Sequence, residues 1–270
     1  MDSFGIVAGS GTYPLLMARE ARKQGVKTIV ATGFKDETDP EIEKVADAVE
    51  WLRVGEMNRL IRTFTSRGVR EVAMVGAVGL KNLFDMRPDF RTLKALLLLR
   101  ERNAATLFGA VVREMEKDGL KVVEATRFLE HLLPPAGLIA GPKPKSRQMS
   151  DIAWGAKIAK QIAALNIGQC IVVRNGTVLA VEAYESTSET ILRGGKAGRE
   201  QAIVIKVAKP DHDFRFDVPV MGLKTMEMAR EGGIAVLAVE ARRTLLLDLE
   251  PMKEFAARHK ISLLAFDTSP

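Results

Sequence analysis

The stretch FGIVAGSGTYPLL, residues 4–16, decides the fold. Phe4 to Ala8 is a short apolar run that ends in glycines, and from Pro14 to Gln24 the residues Leu15, Leu16, Ala18 and Ala21 recur at helical spacing. A strand therefore passes through a glycine-rich turn into a helix. Strands are again predicted from Val26 to Thr32 and from Glu71 to Gly76, each following a glycine (Gly25, Gly68) of the kind that ends a helix. Helices are predicted over Leu93–Arg100, Thr106–Asp118 and Ala125–Leu132, with KVVEA at 121–125 as a further strand. Strands alternating with helices imply a parallel sheet with right-handed crossovers, so residues 1–133 read as a Rossmann-like domain.

Residues 134–147 are rich in proline and glycine, which disfavour both helix and central strand, and are expected to run exposed as a linker between two cores. Beyond it, Asp151–Leu165 has helical periodicity, and Gln169–Arg174 and Thr177–Tyr184 flank Asn175-Gly176, the dipeptide of a tight hairpin. Ala202–Ala208, Gly233–Glu240 and Ser262–Phe266 add strands, and Leu223–Glu231 and Glu250–Arg258 add helices. The fold class is thus α/β in two domains, an N-terminal Rossmann-like parallel sheet and a C-terminal mixed α/β domain over 148–270.

With 270 residues, 47% hydrophobic and 27% charged, the chain has the composition of a folded protein and not of a disordered one. No stretch approaches the roughly 18 apolar residues of a membrane span, and FGIVAG lacks the basic flank of a signal peptide; a cytoplasmic location is expected. Cys170 stands alone within GQCIVVRNG, which excludes an intramolecular disulfide and favours a core residue over a nucleophile. A net charge of +6 suits an anionic partner, but the cations are scattered and aromatics are sparse, so no nucleic-acid stripe is expected.

Three segments carry chemistry. Gly9, Ser10, Gly11 and Thr12 lie between the first strand and helix, where backbone N–H groups at a positive helix end suit a phosphate; a tight turn that needs glycine torsions is the plainer reading. KPDHDFRFD, residues 209–217, concentrates charge. If extended, it puts Asp211, Asp213, Arg215 and Asp217 on one face, a set able to hold a divalent cation and grip a phosphate oxygen, with His212, Phe214 and Phe216 packing on the other. In EAYESTSET, residues 182–190, Glu182 and Glu185 offer further ligands, while Ser186 with Glu189 three residues on reads as a helix cap.

Together AGSGTYPLL, VEWLRVGEMNRLI (49–61), VGAV with NLFDMRPD (75–89), IGQCIVVRNGTVLAVEAYEST and IKVAKPDHDFRFDVPVMG resemble, in order and over nearly the whole chain, the LpxI family of UDP-2,3-diacylglucosamine pyrophosphatases of lipid A biosynthesis. The resemblance implies magnesium-dependent attack of water on a pyrophosphate, yielding UMP and 2,3-diacylglucosamine 1-phosphate. It aligns Asp213, Arg215 and Asp217 with the family's D-x-RFD and Lys209 with its KP lysine, all as catalytic residues. It casts Asp213, Asp217, Glu182 and Glu185 as metal ligands. Three departures accompany these matches: Asn103-Ala104-Ala105 stands for GDD, Glu185-Ser186-Thr187-Ser188 for EGTD, and Glu240-Ala241-Arg242-Arg243 for EAGR. The alternative is a protein that binds a nucleotide sugar or lipid phosphate without cleaving it. Expected partners are a UDP-sugar or glycolipid phosphate, the inner-membrane surface as a peripheral contact, and a second copy of the chain in a homodimer.

Overall fold

The computed structural model describes residues 1–77, 88–100 and 104–268. It divides into two compact units, one of Met1–Glu130 with Asp213–Asp217, the other of His131–His212 with Val218–Pro270.

In the first unit, β1 (Ser3–Ala8), α1 (Tyr13–Lys23), β2 (Thr28–Phe34), β3 (Ala48–Leu52), α2 (Met57–Thr65), β4 (Glu71–Val75), α3 (Phe90–Leu97), α4 (Ala104–Lys117) and β5 (Lys121–Val122) follow one another. The sheet runs β3-β2-β1-β4-β5 and every pairing is parallel, the order of a Rossmann-like half. Its β-branched strands are buried as continuous runs because helices cover both faces; Phe4, Ile6, Ile29 and Phe64 are fully enclosed. α2 contributes Met57, Leu60, Ile61 and Phe64, an apolar face at i, i+3, i+4 and i+7.

The helix predicted over Ala125–Leu132 is replaced by turns and a short 3-10 turn at Glu130–Leu132. Phe128 takes φ +67°, and the Ala125 carbonyl and amide are spent on distant partners: the carbonyl accepts from Tyr13 Oη at 2.6 Å, and the amide donates to the Phe214 carbonyl at 2.7 Å. Local helical spacing loses to these contacts.

The second unit holds β6 (Gly137–Ala140), α5 (Ser146–Ala164), β7 (Cys170–Arg174), β8 (Thr177–Val181), α6 (Thr187–Gly198), β9 (Ala202–Lys206), β10 (Val220–Met221), α7 (Leu223–Glu231), β11 (Ile234–Glu240), β12 (Leu245–Leu246), α8 (Leu249–His259) and β13 (Ser262–Phe266). Its main sheet runs β6-β13-β11-β9-β7-β8. β9, β11 and β13 are parallel, whereas β7, β8 and β6 join antiparallel, so the sheet is mixed as the sequence predicts. The β7–β8 turn has Asn175 at φ 52° and Gly176 at φ 73°, the positive pair a tight hairpin needs, and the buried Asp151 carboxylate accepts both their amides at 2.8 and 2.9 Å.

Two domain expectations are corrected. The stretch 134–147 is not a bare linker: Gly137–Ala140 pairs with β13 as an edge strand, where prolines on either side remove no ladder bonds, and α5 already begins at Ser146. The C-terminal domain is interrupted too, because Asp213–Asp217 packs with the first unit.

Candidate functional site

The glycine-rich turn is first of all a backbone joint. Gly9 donates its amide to the Val75 carbonyl at 2.8 Å, and Ser10 donates both its amide and its hydroxyl to the Ala77 carbonyl, at 2.7 and 2.9 Å. A Cβ on Gly9 would stand 2.5 Å from the Ala77 carbonyl oxygen, and one on Gly76 would stand 2.7 Å from that of Ser10. Glycine is required at both because two strand ends meet main chain to main chain. Of the four positions expected to receive phosphate, Gly9 and Ser10 have thus already given their amides to this joint. Gly11, at φ +88°, and Thr12, the N-cap of α1 without a side-chain cap bond, form the end of the helix that an anion would meet.

Beside this joint, at the carboxyl ends of β1 and β4 where the strand order reverses, lies a cavity of about 280 Å³. Its walls are almost wholly apolar, including Val7, Met74, Leu60, Leu96, Phe108 and Phe216, with Arg53 and Glu56 as charged lining residues. Sequence reasoning did not find it, since its walls come from segments far apart in the chain; the α2 spacing at Met57, Leu60 and Ile61 was the signal that pointed toward it.

The run 209–217 is not extended. Phe216 and Asp217 donate their amides to the Asp213 carbonyl at 3.2 and 3.1 Å, which makes a turn, and the Asp213 carboxylate accepts the Arg215 amide at 3.1 Å. A short acidic side chain offering itself to the amide two residues on competes with strand pairing, so the one-face alternation does not form. Arg215 instead folds back onto Asp213 through Nε and Nη2, at 2.9 and 2.8 Å, and reaches Glu116 of α4 at 2.9 Å. These carboxylates, Asp213 foremost, push the guanidinium's pKa still higher. Phe216 packs against Phe108 with ring centres 6.1 Å apart, so the aromatic anchoring expected of this run holds for Phe216.

Lys209 lies in the second unit, with Nζ donating to Asn166 Oδ1 at 2.6 Å and its amide donating to His212 Nδ1 at 3.1 Å. The backbone just before it is fixed by Glu240, which is 2% exposed. The Glu240 carboxylate accepts from the Ala208 amide at 2.7 Å, from Lys160 Nζ at 2.8 and 2.9 Å and from Thr268 Oγ1 at 2.6 Å, while Lys160 also donates to the Ala208 carbonyl at 2.8 Å. A buried ion pair thereby holds both backbone groups of Ala208.

Glu182 and Glu185 are engaged within the second unit. Glu182 accepts the Gln169 amide at 3.1 Å and the Thr187 hydroxyl, whose oxygen in turn accepts from the buried Lys206 at 3.1 Å. Glu185 accepts from Arg193 and from Thr190 Oγ1, and its own amide followed by the Arg193 charge holds its carboxyl below the usual range. Ser186 caps α6 by accepting the Glu189 amide at 3.3 Å, as the sequence predicts. Cys170 is fully buried, and desolvation, helped by the Glu182 charge, pushes its thiol up to about 12; it is a core residue and no nucleophile.

The proposed metal ligands do not form a set that fits a cation within either unit. Among the described residues no group of three or more His, Cys, Asp or Glu side chains could hold a metal ion, and Asp213 and Asp217 belong to one unit, Glu182 and Glu185 to the other. Asn103 and residues 82–87 lie outside the described residues.

Known proteins were compared with this arrangement. Solved structures show only distant likeness: the biotin carboxylase domain of the Hydrogenobacter thermophilus 2-oxoglutarate carboxylase is 15% identical with a TM-score of 0.28, over 64% of this chain and 35% of that one. Phosphoribosylglycinamide synthetase from Anaerococcus prevotii is 10% identical with a TM-score of 0.27, over 70% and 40%. The chain spans well under half of each of these proteins. The UDP-2,3-diacylglucosamine pyrophosphatase LpxI of Caulobacter vibrioides, by contrast, is 28% identical over 281 residues, covering 100% of this chain and 99% of that protein. The family model of the LpxI N-terminal domain matches residues 3–132 and that of the LpxI C-terminal domain residues 135–264. With both of its domains matched in sequence order over nearly all of the chain, the protein belongs to the LpxI family.

Proposed function

We propose that the chain hydrolyses UDP-2,3-diacylglucosamine to UMP and 2,3-diacylglucosamine 1-phosphate, a step of lipid A biosynthesis. The observation that carries this reading is the apolar cavity walled by Phe216, whose two neighbours toward the N-terminus and the C-terminus are Arg215 and Asp217. An acyl chain suits such a cavity, and a pyrophosphate suits a guanidinium on its margin. In this reading Arg215 turns from its carboxylate partners to the phosphates and offsets charge as the P–O bond breaks, while Asp213 takes the proton of the attacking water. Lys209, on its fixed backbone, supplies a second cation. No step is routed through magnesium, because the acids do not fit a site for it.

The alternative, binding without cleavage, draws on a specific observation: Asp213, Glu182 and Glu185 are already engaged by cations, hydroxyls or amides. The test is release of UMP from UDP-2,3-diacylglucosamine, with magnesium and with chelator, beside an Asp213→Asn control. Release at least about a hundredfold above the control supports hydrolysis. Thermal stabilisation by the substrate with no UMP formed supports the alternative.

A further inference from the structure

α3 shows two faces of unusual composition. Toward the protein, Thr92, Ala95 and Leu96 line the apolar cavity. Toward solvent stand Phe90, 82% exposed, Leu93, 45%, and Leu97, 71%, continued by Leu98, 75%. On a helix, residues 90, 93, 94 and 97 share one side, so this apolar row also carries the exposed Lys94, and exposed Arg100 follows its end. No acid lies between 90 and 100. Arg91 is turned away, held by Glu114 Oε2 at 2.7 Å and by Asp118 Oδ2 at 2.7 Å.

The helix is well anchored beneath. Asp89 caps it by accepting the Thr92 amide at 2.8 Å and also accepts the Asn58 amide of α2 at 2.7 Å, and Thr92 Oγ1 donates to the Gly55 carbonyl at 2.7 Å. Its exposed apolar row is thus presented by a fixed element and not by a loose loop.

We propose that α3 seats the first unit on an anionic lipid bilayer, with Phe90, Leu93, Leu97 and Leu98 in the headgroup–acyl boundary and Lys94 and Arg100 against lipid phosphates. Large apolar side chains flanked only by cations match an anionic interface, where acyl surface and negative charge occur together. A second copy of the chain is the poorer occupant, since a two-fold contact through this face would bring Lys94 and Arg100 close to their own images. The proposal is independent of the proposed hydrolysis, because it concerns lipid without substrate.

The experiment is sedimentation of the full chain with phosphatidylglycerol–phosphatidylcholine vesicles and with phosphatidylcholine vesicles. The wild type should pellet with the former, and adding salt should weaken but not abolish binding. Phe90→Ser combined with Leu97→Glu should lower the partition coefficient at least about tenfold without moving the melting temperature. Lys94→Glu should weaken binding to the anionic vesicles alone. A wild type that stays in the supernatant with both vesicles overturns the proposal, as does a double variant that binds equally well. It is also overturned if the wild type is a dimer by light scattering that the double variant converts to monomer.

Discussion

Lys209–His212 and Asp213–Asp217 are adjacent in sequence, yet they belong to different compact units and are fixed by different physics. Ahead of the first segment, both backbone groups of Ala208 are held by the Lys160–Glu240 pair, whose carboxylate is almost sealed from water. The second segment is held by an aromatic side chain in an apolar wall and by ion pairs whose members stay about one-third exposed. Buried charge fixes main chain and is costly to disturb. Half-exposed charge costs little to rearrange, so Asp213 and Arg215 remain free to exchange partners for a ligand.

The largest test of that contrast is Glu240→Ala, which leaves Lys160 and the Ala208 amide without their acceptor. It should destabilise the second unit by about 3–5 kcal/mol. The two tryptophans divide between the units, Trp51 in the first and Trp154 in the second, so urea unfolding of a Trp51→Phe background isolates this effect. An unchanged midpoint would show the pair to be dispensable. Next in size, Asp213→Asn should slow UMP release at least about a hundredfold, close to 2.7 kcal/mol, while shifting stability by less than about 1 kcal/mol. Equal losses of activity and stability would erase the distinction between the two segments.

Phe216→Ala should cost the first unit about 2 kcal/mol, less than a fully buried aromatic because the ring is only partly enclosed, as read by Trp51 fluorescence in a Trp154→Phe background. It should also raise KM for the diacylated substrate more than for a deacylated analogue. The smallest effect concerns pH. Lys117, together with Arg91, holds the Glu114 carboxyl below its ordinary 4.5, and Arg91 holds that of Asp118 below 3.8. Groups with depressed values stabilise the fold above their unfolded values, and that contribution is lost as pH falls through the lower folded ones. Urea midpoints of the first unit should therefore decline from about pH 4.5 downward, and Arg91→Met should flatten the decline.

How much of this was legible in the sequence varied with the range of the forces involved. β1, β2, β4, β9, β11 and β13 are continuous apolar runs bounded by turn residues, and the Asn175-Gly176 hairpin is specified by two torsions, so local reading sufficed. β3 was missed because Ala48–Leu52 is a partly exposed edge strand carrying Glu50. The helix expected at 125–132 and the extended run at 209–217 failed for a shared reason: Ala125 and Phe214 bond to each other across the chain, which no window of sequence contains. The site followed the same rule. Asp213, Arg215 and Lys209 stood out by charge density, whereas Glu240 was noted only within EARR, because a buried anchoring acid looks in sequence like any other.

The hydrogen bonds at Ala125 bear on how the molecule can be taken apart. Its carbonyl is tied to Tyr13 at the head of α1 and its amide to Phe214, so three segments from the start, middle and far end of the chain meet at one peptide group. A single cut after Glu130 accordingly delivers neither unit whole. The amino-terminal fragment lacks five residues of its own, and the carboxy-terminal fragment carries them as an unpaired strap with Phe216 exposed. Dissection calls for fragment complementation, in which a peptide spanning 213–217 is returned to the amino-terminal piece.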